Sequence, residues 1–219
     1  MKTEALDFLL STIFLAAIGV LAFALVGTLD PLLSDLFMGY HIIAGALLFL
    51  LTFGLLSVLT TRILLALSAL TPGRHEMTTR LFTWWKLFTV VYEFGRGALL
   101  PFTTVFAKPL VAKLFGAKIG KDIALGGHLV DPEFITIGDE AIIGQGSVVT
   151  AHAITSGYLV LAPVNIGARV TIGVNAVVMS GVEVGEGSVV TAGAVVPPDT
   201  KIPPGELWGG VPAKKIKAL

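Results

Sequence analysis

The chain has 219 residues, 54% hydrophobic and only 14% charged, against roughly 45–50% and about 25% in ordinary soluble domains. Fifteen basic and fifteen acidic side chains cancel, so the charge implies no general affinity for nucleic acid. The absence of cysteine excludes a disulfide framework, a thiolate nucleophile and thiolate metal sites.

The apolar excess is concentrated at the start. Phe8 to Thr28 runs for 21 residues without a charge, and Leu36 to Thr61 for 26 more. A helical run of about 20 apolar residues matches a hydrocarbon core of roughly 30 Å, so both segments read as transmembrane helices. The competing reading is a pair of buried helices in a soluble bundle. A cleaved signal peptide fits poorly, because the first run is long, is followed by a second and is preceded by Glu4 and Asp7. The turn between them, Leu29 to Asp35, carries two aspartates and no basic residue, whereas Arg62, Arg74, Arg80, Lys86 and Arg96 follow the second run. The positive-inside rule then places the turn outside and both termini in the cytoplasm, as expected of an integral membrane protein in contact with lipid.

Residues 1–72 are thus expected to hold two spans, with Ile63 to Leu70 prolonging the second until Pro72-Gly73 breaks it. Residues 73–118 are expected to form an interfacial, amphipathic helical linker. Thr83 to Phe94 mixes Trp, Phe and Tyr with charge, as membrane interfaces favour. Ala98 to Phe115, interrupted by Pro101 and Pro109, reads as one or two helices lying on the membrane, with a third span, disfavoured by Lys108 and the prolines, as the alternative.

From Ile119 the pattern changes. Aliphatic residues recur at every sixth position: Ile119, Leu125, a miss at Asp131, then Ile137, Ile143 and Val149. After a one-residue slip they resume at Ile166, Ile172, Val178, Val184, Val190, Val196 and Ile202. Glycine often follows the aliphatic residue, and a small or branched residue stands four positions after it (Ala141, Ser147, Ala176, Val182, Ser188, Ala194). This period is neither that of a helix nor that of a plain strand. Each hexapeptide is read as a short strand plus a corner, and three corners make one turn of a triangular prism with the aliphatic side chains stacked inside. An ordinary sandwich would not keep this register over ninety residues. The expected fold class is a membrane α-helical anchor plus an all-β left-handed parallel β-helix of about five coils over 119–208, with 209–219 as a C-terminal tail.

The domain-wide repeat and the closing segment Trp208-Gly209-Gly210-Val211-Pro212-Ala213-Lys214-Lys215-Ile216 resemble the hexapeptide-repeat transferase superfamily, the latter in its G-x-P-A-K-x-I ending. Thr150-Ala151-His152, a loop, and Ala162-Pro163-Val164-Asn165-Ile166-Gly167 resemble the active-site region of its acetyltransferase branch. Across residues 101–213, PLVAKLFGAKIG, DPEFITIGDEAIIG and His152 are similar to membrane-embedded hexapeptide domains at the C-terminal end of nonribosomal-peptide-synthetase-like enzymes, poly-lysine synthetases among them. One departure is the short loop Ile154 to Tyr158, where sugar acetyltransferases carry a longer insertion, so their acceptor is not carried over.

The resemblance implies acyl transfer from a thioester to a hydroxyl or amine, with acyl-CoA as co-substrate, no permanently bound cofactor, a homotrimeric assembly and, given the anchor, a membrane-associated acceptor. His152 matches the family's catalytic position and would act as general base, a task that histidine's ordinary pKa suits. A surface corner histidine is the plain alternative. His128 would lie on another corner, meeting His152 only across subunits of a trimer; simple packing serves as well. Asp131, Glu133 and Asp139 are candidates to orient the imidazole. Asp131 breaks the repeat, as functional residues often do, although Asp131-Pro132 also reads as a plain corner. The pantetheine arm would lie near Gly173, Ser180 and Ala192, with Arg169, Lys214, Lys215 and Lys217 available to its phosphates. Lysines of a solvated tail are the alternative there. His41 and His75 read as an interfacial and a loop residue. A carbonic anhydrase of the same fold needs three histidines around zinc, and two in the repeat are too few. A carrier-protein thioester donor and a non-catalytic trimeric scaffold stay open as other readings.

Overall fold

The computed structural model describes residues 4–67 and 70–219. It divides into two compact units, one of residues up to Leu70 with Arg80–Phe102, the other of Thr71–Thr79 with Thr103–Leu219.

The first unit is helical. Helix α1 spans Ala5–Thr28, α2 Asp30–Phe37, α3 His41–Leu67 and α4 Arg80–Leu99. The expected turn between the apolar runs is itself the short helix α2, with Pro31 in its first turn, where a missing N–H costs nothing. The second long helix therefore begins at His41, not Leu36. The expected continuation from Ile63 is helical to Leu67, and Ser68 and Ala69 fall outside the described residues. Glycines let the helices approach closely. A Cβ at Gly54 of α3 would lie 2.4 Å from Leu99 Cγ of α4, and Gly19 of α1 faces the ring of Phe53. Asp7 of α1 and Lys86 of α4 form an ion pair. In α1 and in the segment Asp30–Leu67 only 11% and 17% of the most apolar 18 residues are buried within the unit, and large side chains such as Phe8, Phe23, Ile42 and Leu67 are exposed.

The stretch 73–118 differs from a helical linker. Gly73–Glu76 is a strand of the second unit, α4 packs in the first, and helix α5, Lys108–Leu114, precedes the repeats in the second.

The second unit is a parallel β-solenoid of about five coils, and its hexapeptide repeat fits a left-handed β-helix. Its first face stacks Lys118–Ile119, Ile135–Ile137, Val164–Ile166, Glu183–Val184 and Lys201–Ile202. The second stacks Ala124–Leu125, Ile142–Ile143, Thr171–Ile172, Val189–Val190 and Glu206–Gly210. The third stacks His128–Val130, Val148–Thr150, Val177–Val178 and Val195–Val196. The aliphatic column predicted from the repeat fills the interior, with Ile143, Val149, Ile172, Val178, Val190 and Val196 at most 1% exposed. The small residues beside them, Ala141, Ser147, Ala176, Val182, Ser188 and Ala194, are fully buried.

The corners divide the glycines into two sets. The bend is made three positions past the inward residue, where Asp122, Glu140, Arg169, Asn175 and Asp199 take positive φ alongside several glycines. The glycine directly after the inward residue instead meets the next coil. A Cβ at Gly173 would lie 2.3 Å from the backbone nitrogen of Ala192. The segment expected to be a tail, 209–219, is a strand: Ala213–Ala218 returns antiparallel along Glu206–Gly210 and closes the last coil.

Candidate active site at the third corner

Two irregularities in the repeat fall at one corner, that between the third and first faces. In the first coil, Leu129 rather than Asp131 takes the inward place, stacked on Val149 and 2% exposed. The interval from Leu125 to Leu129 is thus four residues, and the two withdrawn there return in the 3-10 turn Pro132–Phe134 before Ile137. The apparent miss at Asp131 is a shift in phase. Asp131 stands outside the prism wall at the corner, in left-handed backbone with φ 61°, a conformation that Asp tolerates better than most side chains.

In the second coil the seeming one-residue slip is an insertion. Between Val149 and Ile166 the chain leaves the wall as an antiparallel hairpin, His152–Thr155 with Tyr158–Leu161. Ser156 and Gly157, both at positive φ, make the two-residue turn. Ala162 N–H donates to the Ala151 carbonyl at 2.9 Å and closes the base of the hairpin. Val130 pairs with Thr150 across the two coils, so Asp131 and His152 leave the third face side by side.

The result is a carboxylate–imidazole pair. His152 Nδ1 lies 2.5 Å from Asp131 Oδ2, with the Asp131 side chain 3% exposed and that of His152 22%. A carboxylate can only accept, so Nδ1 carries a proton, and in the neutral ring the lone pair is on Nε2. The Thr150 hydroxyl lies 3.4 Å from Nδ1 on the same side and donates to the His152 carbonyl at 3.3 Å. Sequence reasoning missed Thr150, although its place two residues before the histidine put it within reach. Glu133, half-buried in the adjoining turn, has its carboxyl pushed up to about 8, first by burial and then by the neighbouring Asp131 carboxylate.

Of the other candidates, Asp139 is engaged at a different corner, where its Oδ1 accepts the Lys121 backbone N–H at 2.8 Å. His128 opens the strand that Asp131 follows, opposite Val148, so the length of the third face separates it from His152. Ser180 stands at the corner of His152 one coil on, beside Gly181, whose N–H donates to the Ala162 carbonyl. Gly173 and Ala192 stack on each other at the corner between the second and third faces. Arg169 bends the corner between the first and second faces and pairs with Glu186. Lys214 and Lys215 lie on the closing strand, where Lys215 Nζ is 2.5 Å from Glu206 Oε1. The Lys215 ammonium, followed by the Trp208 indole N–H, holds the Glu206 carboxyl below its ordinary value. The residues expected to hold the co-substrate thus occupy all three corners of the chain. A groove of about 600 Å³ runs along the first face past Asn165, Gly167, Glu183, Gly185 and Lys201, away from His152.

Residues 163–198 match the family model for the "Hexapeptide repeat of succinyl-transferase". The fold is a hexapeptide-repeat β-solenoid. Among solved structures, the chain is similar to a hexapeptide-repeat acetyltransferase of Vibrio cholerae O1 biovar eltor complexed with acetyl coenzyme A. They share 31% identity over 48% of this chain and 61% of that one, with a TM-score of 0.44. It is also similar to a galactoside acetyltransferase in complex with coenzyme A, at 26% identity over 53% of this chain and 72% of that one, TM-score 0.42. A maltose O-acetyltransferase from Clostridium difficile 630 aligns at 20% identity over 73% of this chain and 96% of that one, TM-score 0.42. The chain spans less than two thirds of the length of the first of these. No curated protein sequence matches it.

Proposed function

We propose that this chain is a membrane-anchored acyltransferase. It moves an acyl group, acetyl in the first instance, from acyl-CoA to a hydroxyl or amine of a membrane-associated acceptor. The observation that carries the reading is the Asp131–His152 pair at 2.5 Å, assembled by two separate departures from the repeat at one corner. A solenoid serving shape alone has no use for either departure. Asp131 fixes the ring and its tautomer, and Nε2 accepts the acceptor's proton as the acceptor oxygen or nitrogen attacks the thioester carbonyl. The tetrahedral intermediate collapses with cleavage of the C–S bond. The imidazolium returns its proton to the departing thiolate, so the base is regenerated and free thiol is the second product.

The hexapeptide family match over residues 163–198 supports the transferase class, and the resemblance of the Thr150–His152 and Ala162–Gly167 segments to acetyltransferase active sites motivates the donor and the base. Arg169, Gly173, Ser180, Ala192, Lys214 and Lys215 remain the residues proposed to hold the co-substrate. Their dispersal over three corners suits a cleft between protomers of a homotrimer. The anchor reading rests on α1 and α3, whose apolar surfaces are left largely uncovered by the unit they belong to. The basic residues that follow the second apolar run support a cytoplasmic side for both termini and the solenoid.

The test is titration calorimetry of the full chain in detergent with a non-hydrolysable acetyl-CoA analogue, and sedimentation of the same sample. Saturable 1:1 binding per protomer on a trimer is expected. No binding of the analogue, with transfer seen only from a carrier-protein thioester, would replace the proposed donor; no transfer from either would leave a scaffold.

A further inference from the structure

The hairpin that begins at His152 is not a free-standing insertion. Gly73–Glu76, from the segment between α3 and α4, adds to it as a third antiparallel strand, with Gly73 opposite Leu161, Arg74 opposite Val160, His75 opposite Leu159 and Glu76 opposite Tyr158. Met77 N–H extends the contact to the Gly157 carbonyl at 3.1 Å, reaching the turn itself. Because Leu161 is also opposite His152, one row of the sheet runs from His152 through Leu161 to Gly73.

Successive rows of a sheet present their side chains to opposite faces. His152 and Leu161 share a face with Leu159 and Ile154. On that face Leu161 and Leu159 are at most 1% exposed, while Ile154 is 43% exposed. Arg74 and Tyr158 belong to the alternate rows and meet on the other face, with the Arg74 guanidinium carbon 3.7 Å from the centroid of the Tyr158 ring. They form a diagonal cross-strand pair of opposite polarity, cation over ring. A two-stranded hairpin is by itself marginally stable, and a third strand changes that. The strand from residue 73, fastened by Arg74 on Tyr158, is what gives the His152 strand a fixed course beyond the prism wall. Asp131 grips the imidazole from the solenoid side, while this clasp steadies the strand carrying it from the other.

We infer that Arg74 and Tyr158 are positioning residues that set the acceptor-facing geometry of His152, acting through the strand Tyr158–Leu161. This rests on the reading of His152 as the base. An acceptor giving its proton to Nε2 must reach His152, so movement of the hairpin alters acceptor binding before donor binding. Gly73 is suited to its place, since its φ of 137° is one that side-chain-bearing residues rarely adopt.

The experiment uses the full chain in detergent. Steady-state kinetics are measured with donor and acceptor varied separately, and amide hydrogen exchange is followed over residues 152–161. Arg74→Ala and Tyr158→Ala are expected to raise the acceptor KM about tenfold with the donor KM unchanged, and to speed exchange in the hairpin. Arg74→Lys and Tyr158→Phe, which keep a cation and a ring, are expected to restore most of both. Unchanged acceptor KM, equal rises in both KM values, or unchanged hairpin exchange would overturn the inference. Failure of the underlying reading shows separately, as wild-type turnover in His152→Ala. In that event hairpin exchange alone decides whether the clasp holds the strand.

Discussion

Replacing Asp131 with asparagine changes one buried oxygen for an amide nitrogen at nearly constant volume. In the native pair, Nδ1–H donates to a carboxylate that is 3% exposed, at 2.5 Å. A hydrogen bond to a charged partner has a net worth of about 1.5–3 kcal/mol and a neutral one about 0.5–1.5, a difference of roughly 1–1.5 kcal/mol. At about 1.4 kcal/mol per decade, weakened orientation alone costs roughly tenfold in rate. The amide can also donate to Nδ1, moving the ring proton to Nε2 and removing the base. The same change in a Ser-His-Asp site costs about 10⁴ in kcat, which sets the ceiling. Asp131→Asn is therefore expected to lose between tenfold and 10⁴ in kcat, with donor KM little changed. Release of free thiol from acetyl-CoA, in the presence of acceptor, measures it, and unfolding curves confirm that the fold is kept. A variant within threefold of wild type would refute the idea that Asp131 orients the imidazole.

Gly173→Ala forces a methyl carbon to within 2.3–2.7 Å of the Thr191–Ala192 backbone, so the coils must part. A cost of at least about 1–3 kcal/mol follows, seen as a lower unfolding midpoint. Gly187→Ala meets nothing within 4 Å and pays only for its φ of 68°, so its midpoint should fall less; equal losses would remove the close-approach argument. For Glu133 the folded value of about 8 lies above the ordinary value of 4.5. Between those values the folded chain holds a proton that the unfolded chain has lost, so this group's contribution to stability is complete at acid pH and declines as pH rises through the window. Glu133→Gln should flatten the fall of stability between pH 5 and 8, measured by denaturant titration at several pH values. A slope identical to that of wild type would contradict the burial of this carboxyl.

The solenoid was legible because its inward column is periodic and nearly uniform in chemistry. Ile137, Ile143, Val149 and their successors mark the coils whatever their neighbours do. Phase at the first coil was not legible, because Leu129 and Asp131 are both compatible with a corner and only the pairing of Leu129 with Val149 settles which points inward. The hairpin was legible in principle. His152-Ala153-Ile154-Thr155 and Tyr158-Leu159-Val160-Leu161 flank Ser156-Gly157, a two-residue turn signal. It was hidden because an insertion that shifts the six-residue register by one passes for a slip. The third strand at Gly73 left no such trace, since its partner lies far along the chain and four residues carry little periodicity. His152 was singled out through resemblance and Asp131 through its apparent break in the six-residue count, and the structure brings the two side chains together. Thr150, Arg74 and Tyr158 needed geometry, being ordinary residues given significance by what they touch.

The most direct measurement is transfer of radiolabelled acetyl from acetyl-CoA into the lipid-extractable fraction, by wild-type chain and by His152→Ala, both reconstituted in membranes. Time-dependent labelling by the wild type is expected, with a rate at least about 100-fold lower in the variant. Equal labelling by the two proteins, or none by a well-folded wild type across a range of membrane extracts, would contradict it.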